Sequence, residues 1–544
     1  MSQRHERTIR TLEMPPAPIV GQPASRLLRT WIMPVLAMAI VACLAFLVFL
    51  AFYALDVILL GGDAPSLTGL LQRYLTFDPG MITDALPALG MTIVAALGIV
   101  LTVVAIIVQL SSDRYTGVAM MFLRDPMNIA VMSFYVIASL CAVWLSVSLH
   151  EDFVPRALLL AVMVLTSIGL ATMLPYFAYV FWFLEPGNII DRLRAYTTRL
   201  NRRGLALPPG PQVELLQGRV LTQMEEITDI ANNSIDGRDK IVAGRAVDAL
   251  RDFLIDYIVT KPAEERPWYR IGHALRDNPN FVAMDLELLR ELDQQHLWVE
   301  WKTLRQFLGV YDEALDSMEE INSLIAIDTR YIGETAAEQG EWELVRMVFR
   351  FFNSYLRSAI NHGSVRTAFN VLHQYRMLLQ RILRFDQSGL ASEGVAFLKY
   401  YGHIAFEEGM PFIIETVAYD IAALCEFAHR DGLAAEERIL RQFLELDMRG
   451  PGRSRRYERG LRGVRKAQAK LAVYYLSVGE EAKARLIADD MRDEPPELLR
   501  AIHTELAEVE SPHFWEIIDR GRNFEYLPPL QRAQLKQFFG WLGA

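Results

Sequence analysis

Residues 85–112 read ALPALGMTIVAALGIVLTVVAIIVQLSS, 28 residues without a charge. A helix needs about 20 apolar residues to cross the hydrocarbon layer of a bilayer, whereas soluble helices average about 12 and keep a polar face. The stretch therefore reads as a membrane span. Outward from it lie three more charge-free runs, Trp31 to Leu55, Pro126 to Leu149 and Ala157 to Leu184, of 25, 24 and 28 residues. Arg4, Arg7, Arg10, Arg26 and Arg29 precede the first run, as basic residues precede a signal sequence. Its apolar length exceeds the about 7–15 residues of a cleavable segment, so it reads as an uncleaved anchor. The sequence predicts an all-α chain that opens with a disordered tail over residues 1–30 and a four-helix transmembrane bundle over residues 31–200.

Arginine placement gives the orientation, because loops left on the cytoplasmic side retain the basic residues. The tail holds the five arginines above, the loop after the second span holds Arg114 and Arg124, and Arg192, Arg194, Arg199, Arg202 and Arg203 follow the fourth, while the other two loops hold only Arg73 and Arg156. Both termini are predicted to be cytoplasmic. The net charge of −10 argues against nucleic acid as a partner. Cys43, Cys141 and Cys425 are too scattered for a disulfide framework or a redox pair.

The second span carries Met91, Val94, Ala95, Gly98, Thr102, Ala105 and Gln109 along one helical face, and the third carries Asn128, Tyr135, Ser139, Ala142 and Ser146. Small and hydroxyl residues let membrane helices approach closely and exchange hydrogen bonds, so packing is one reading and a pore wall is the other. No Asp, Glu, Lys, Arg or His falls within any of the four runs, which argues against a proton-coupled pump. A passive channel needs no such group. Packing faces of this kind also predict a homo-oligomer embedded among membrane lipids.

The stretch Val108-Gln109-Leu110-Ser111-Ser112-Asp113-Arg114-Tyr115, leading to Phe122-Leu123-Arg124-Asp125, resembles a family of bacterial predicted membrane proteins of unknown function. In that family a membrane helix runs into a VALQLASSQFSPR…FLRD-like segment. The likeness covers residues 85–200; the family's SPGINDP-like segment further on has only a degraded counterpart in Asn233 to Asp239. The resemblance implies a multi-pass protein of the bacterial inner membrane and implies no activity.

Residues 201–212, NRRGLALPPGPQ, form a Pro/Gly-rich linker. Beyond it, residues 213–330 show helical periodicity, and residues 331–544 show a repeat. IGETAAEQG ends at Gly340, YGHIAFEEG at Gly409 and LAVYYLSVG at Gly479, with spacings of 69 and 70, and Gly363 and Gly432 each follow the first two by 23. Half the larger period approximates the 34-residue helix-turn-helix unit of tetratricopeptide type, so a tetratricopeptide-like solenoid is predicted. A plain helical bundle is the alternative.

Catalytic signatures are absent: there is no phosphate loop, HExxH or GxSxG. Asn232, Ser234, Asp236 and Gly237 imitate half a calcium loop, but Ala243 stands where the bidentate glutamate belongs. Two surfaces remain. Arg366, Asn370, His373 and Gln374 share a helical face that suits an anionic ligand or a partner. Arg453, Arg455, Arg456, Arg459, Arg462, Arg465, Lys466 and Lys470 form a basic run suited to anionic lipid or an acidic partner. The sequence thus predicts a non-enzymatic membrane adaptor, without cofactor or metal, whose cytoplasmic repeat domain binds a protein. An oligomeric ion channel or transport component, with a pore lined by spans two and three and gated by the cytoplasmic domain, is the alternative.

Overall fold

The computed structural model describes residues 47–55, 58, 79–112, 118–148, 155–385, 387–447, 461–514, 520–521 and 523–543. Among the described residues every regular element is helical, and the chain divides into two compact units, Met1–Arg192 and Leu193–Ala544.

In the first unit, α1 (Pro79–Ser112), the short α2 (Val118–Leu123), α3 (Pro126–Val147) and α4 (Arg156–Leu184) pack together. Three segments are long and apolar enough to cross a membrane: Pro87–Gln109, Pro126–Val147 and Ala157–Leu184. Of the expected first span only residues 47–55 are described, and these are helical; the rest of it, and the tail before it, lie outside the described residues. The start of α3 follows from its sequence. Pro126 occupies the first turn, where no amide hydrogen is needed, and the Asp125 carboxylate accepts from the amides of Met127 and Asn128. The core is thin. Ile93, Ala96 and Val100 of α1 meet Tyr135, Ala138 and Ala142 of α3 and Val162, Tyr176 and Val180 of α4, while Trp144, Leu174 and Phe181 remain more than 60% exposed. Side chains of that size spread over an outer surface are what lipid, not water, solvates.

The second unit is a stack of helix pairs. Its helices are α5 (Pro186–Leu205, which enters from the first unit), α6 (Pro211–Asp236), α7 (Lys240–Thr260), α8 (Leu286–Gln295), α9 (Trp298–Ala314), α10 (Glu319–Gln339), α11 (Trp342–Asn361), α12 (Val365–Leu383), α13 (Ser388–Glu407), α14 (Pro411–Arg430), α15 (Glu436–Leu444), α16 (Arg462–Ser477), α17 (Glu481–Asp490), α18 (Pro496–Glu508) and α19 (Leu535–Trp541). Helices alternate between two rows. In row A, α7, α10, α12, α14 and α16 lie each against the next; in row B, α6, α9, α11, α13 and α15 do the same.

The stack has a 46-residue period. Helices α10, α12 and α14 begin at Glu319, Val365 and Pro411, separations of 46 and 46. One helix with its turn therefore occupies 23 residues, and the 69-residue glycine spacing seen in the sequence is three helices. Gly340 closes a row A helix, whereas Gly409 closes a row B helix. The unit is thus longer than the 34 residues expected, because each helix runs about 20 residues instead of the shorter helices of a tetratricopeptide unit.

Each turn is built the same way. Gly340, Gly363, Gly409, Gly432 and Gly479 have φ between +66° and +86°, a left-handed conformation open to glycine at no steric cost. The glycine amide donates to the carbonyl three residues back, and the next amide reaches five back, as in Gly340 to Ala337 and Glu341 to Ala336. Ion pairs tie neighbouring helices within each row. Arg251 of α7 reaches Asp328 of α10 at 2.7 Å, and Lys302 of α9 reaches Glu225 of α6 at 2.6 Å. Burial raises the pKa of Asp328 to about 7 even though Arg251 opposes the shift.

Candidate functional site

The two membrane stripes part company. On α1, Met91, Val94, Ala95, Gly98, Thr102, Ala105 and Gln109 are all exposed, and the buried face is the opposite one, Ile93, Ala96, Val100 and Val104. A Cβ placed on Gly98 would meet nothing within 4 Å, and the Thr102 hydroxyl turns back to the Gly98 carbonyl at 2.8 Å. On α3 the reverse holds for most of the stripe. Asn128, Tyr135 and Ala142 are buried, Ser139 is half-buried with its hydroxyl unpartnered, and Ser146 is exposed. Tyr135 donates to the Gly169 carbonyl of α4 at 2.7 Å, and Asn128 accepts from Tyr176 at 2.5 Å. Within one chain the two stripes do not face each other. The α3 residues are consumed in packing on α4, and the α1 residues face outward.

Beside this packing lies a cluster the sequence reading missed. Tyr179 donates to the Asp125 carboxylate at 2.5 Å, and the guanidinium of Arg192 lies 3.8 Å from the centre of the Phe183 ring. The signal was legible: Asp-Pro before an apolar run is a helix start, so Asp125 had a structural role from the outset.

In the second unit, the predicted face of α12 turns toward α10, its neighbour in row A. Arg366 is exposed and lies 4.0 Å from Glu319, Asn370 donates to the Ser323 hydroxyl at 3.0 Å, and Gln374 accepts from Arg330 at 2.8 Å. His373 is mostly buried among Arg330, Arg376 and Arg520. Burial, reinforced by these cations, lowers its pKa to about 3 and keeps the ring neutral. Asn370 and Gln374 of this face are thus engaged by α10, while Arg366 stays exposed at its edge.

What completes it comes from far along the chain. Arg520 donates to Asp420 of α14 at 2.6 Å and to the carbonyl of Phe369 of α12 at 2.8 Å, with its guanidinium 4.2 Å from the centre of the Phe369 ring. Asp420 also meets Arg376 at 3.2 Å. Four residues on, Phe524 stacks on Tyr419 of α14 at 5.1 Å, and its carbonyl accepts from Lys470 of α16 at 2.6 Å. Glu525 pairs with Lys466 at 2.5 Å. A segment that is not helical thus crosses three successive row A helices, α12, α14 and α16, and engages each through side chains. Asp420 is one of two acids in the otherwise apolar run IIETVAYDIAAL, with Glu415; nothing in the sequence paired it with an arginine 100 positions away.

Half of the basic run is engaged within the chain. Arg465 is held by Asp447 at 2.7 Å, Asp490 at 2.5 Å and Glu494 at 2.8 Å. Arg462 pairs with Glu505, and Lys466 with Glu505 as well as Glu525. Lys470 donates to the Phe524 carbonyl, so these four cations anchor the end of the stack. Arg453, Arg455, Arg456 and Arg459 lie outside the described residues.

Among the described residues no group of three or more His, Cys, Asp or Glu is placed to hold a metal ion. Asn232, Ser234 and Asp236 belong to the last turns of α6, where the Ser234 hydroxyl donates to the Ile230 carbonyl.

No protein-family model and no curated protein matches the chain. Among solved structures, a circular tandem repeat protein with novel repeat topology and enhanced subunit contact surfaces is similar at 15% identity, over 70% of this chain and 85% of that one, with a TM-score of 0.29.

Proposed function

We propose that this chain is a non-enzymatic adaptor of a bacterial inner membrane, anchored by its first unit with both ends in the cytoplasm, whose helical stack captures an extended segment of a partner protein. One observation carries the proposal: row A already accommodates non-helical residues of its own chain, with Arg520 against Asp420 and Phe524 on Tyr419. Stacked helix pairs present a long continuous surface to a partner, and here that surface supplies a carboxylate, aromatic faces and lysines in sequence. Phe412, beside Phe369 at 5.5 Å and 45% exposed, extends the aromatic surface beyond the bound segment.

A photo-crosslinking residue placed at Phe412, with Arg441 on row B as the control site, tests this in living cells. The proposal expects a discrete protein adduct at position 412, absent at position 441 and reduced by a competing peptide of residues 520–527. Equal labelling at both sites, or indifference to the peptide, overturns it.

A second reading, an oligomeric channel, is supported by the outward placement of Ala95, Gly98, Thr102, Ala105 and Gln109. A pore with that lining forms between copies. Ion flux through reconstituted liposomes that changes with Gln109→Ala supports it, and absence of flux removes it.

A further inference from the structure

Row B holds a cavity that the adaptor reading does not use. It lies among α8, α9 and α11, has a volume of about 250 Å³, and its walls are mainly apolar: Leu288, Leu292, Trp301, Leu308, Met347 and Phe351. Three guanidiniums, Arg305, Arg346 and Arg350, stand against two carboxylates at its rim, Glu291 and Glu343. The carboxylates are already engaged. Glu343 pairs with Arg346, and Glu291 lies 3.6 Å from Arg350 and accepts from Gln295 at 3.2 Å. Glu393 also meets Arg346, at 3.7 Å; among the described residues no carboxylate lies within ion-pair distance of Arg305, so its guanidinium is the one at this rim without an ion pair.

The cavity continues past Leu308, Arg350 and Ser354 into an open polar groove that includes Asn353, Arg357 and Tyr401. There the Asn353 carboxamide oxygen is buried and accepts no hydrogen bond. A half-open apolar chamber with an unpaired guanidinium at its mouth defines a direction: apolar body inward, charged head at the rim. Apolar pockets with a few fixed polar groups are the usual form of small-ligand sites, and this one is at the small end of their size range.

We infer that this cavity binds a small amphipathic monoanion, a carboxylate with a medium-length acyl chain, with the chain against Trp301 and Phe351 and the head on Arg305 and Arg350. An arginine fork matches a carboxylate in two parallel hydrogen bonds, which neither a neutral alcohol nor a quaternary amine reproduces. The site is independent of the row A surface, since its lining comes from α8, α9 and α11.

The test is a titration of the full-length protein in lipid nanodiscs with decanoate carrying ¹³C at its carboxyl carbon, read by NMR against empty nanodiscs. The inference expects a separate bound resonance that saturates at one equivalent and is not displaced by decanol. Arg305→Gln should weaken binding about tenfold through loss of the charge-assisted contact, and Leu288→Trp, which fills the half-buried chamber, should abolish it, with circular dichroism reporting retention of the helices. If Arg305→Gln fails to fold, Leu288→Trp decides alone. No saturable resonance in the unaltered protein, or an unchanged one in the folded variants, overturns the assignment.

Discussion

Replacing Asp420 by alanine tests the row A contact at its centre. Asp420 is 2% exposed and faces two guanidiniums, Arg376 at 3.2 Å and Arg520 at 2.6 Å, with Arg520 itself only 4% exposed at the side chain. Removing the carboxylate leaves two buried cations facing one another, and breaking a buried pair in this way costs about 3–5 kcal/mol. Arg520→Ala is milder. Asp420 keeps Arg376, and what is lost is the contact to the Phe369 carbonyl and ring, about 1.5–3 kcal/mol for hydrogen bonds to a charged group. The double variant removes acid and base together, so its loss should fall short of the sum of the two by about 2 kcal/mol. Denaturant-dependent amide exchange in α14 gives the three free energies on the intact chain. An Asp420→Ala loss below about 0.5 kcal/mol, or strict additivity, would refute the argument that these groups form one buried network.

Gly204→Ala should destabilise the second unit by about 1–3 kcal/mol, because a Cβ there would sit 2.2 Å from two ring carbons of the fully buried Trp268; thermal unfolding checks it. Gly409→Ala, at φ +86°, should cost about 1–2 kcal/mol through the left-handed penalty alone, and an equal stability would deny the turn geometry. Tyr135→Phe removes a buried donor to the Gly169 carbonyl and should lower the resistance of the first unit to detergent unfolding by about 0.6 kcal/mol, the average for such bonds in membranes. His373 has a folded pKa of about 3 against about 6.5 unfolded. Only the unfolded chain takes up a proton between these values, so the stability is intact above pH 6.5 and is lost as pH falls toward 3. From pH 7 to pH 5 the loss should be about 2 kcal/mol, and His373→Gln should flatten that part of the exchange-derived pH profile.

Three of the four expected spans were legible as long apolar helices because a bilayer imposes a length and excludes charge, and Ala85 to Ser112 meets both conditions without reference to any partner. Which face of α1 is buried was not legible. Gly98 and Ala96 lie on different faces of one apolar helix, and composition does not distinguish the side that meets α3 and α4 from the side that meets lipid or another copy. The glycines of the repeat were visible and their spacing was correct, but 69 residues is one and a half helix pairs, and only coordinates reveal that Gly340 and Gly409 end helices in different rows. The α12 face was correctly grouped by its periodicity. Its meaning changed because Arg330, Asp420 and Arg520 come from elsewhere in the chain to meet it. The basic run shows the same limit: charge counting found Arg465 and Lys466, while the carboxylates that meet them lie from 18 positions before to 59 positions after.

The account rests on the seating of residues 520–527 across α12, α14 and α16. Amide exchange of that segment in the membrane-embedded protein measures it directly, because its own backbone bonds are few, with Asn523 donating to Pro512 and Tyr526 to Asn523. The account predicts slow exchange there in the unaltered chain, and fast exchange there in the Asp420→Ala variant under conditions where α12 and α14 stay protected. Rapid exchange of the segment in the unaltered chain would contradict it.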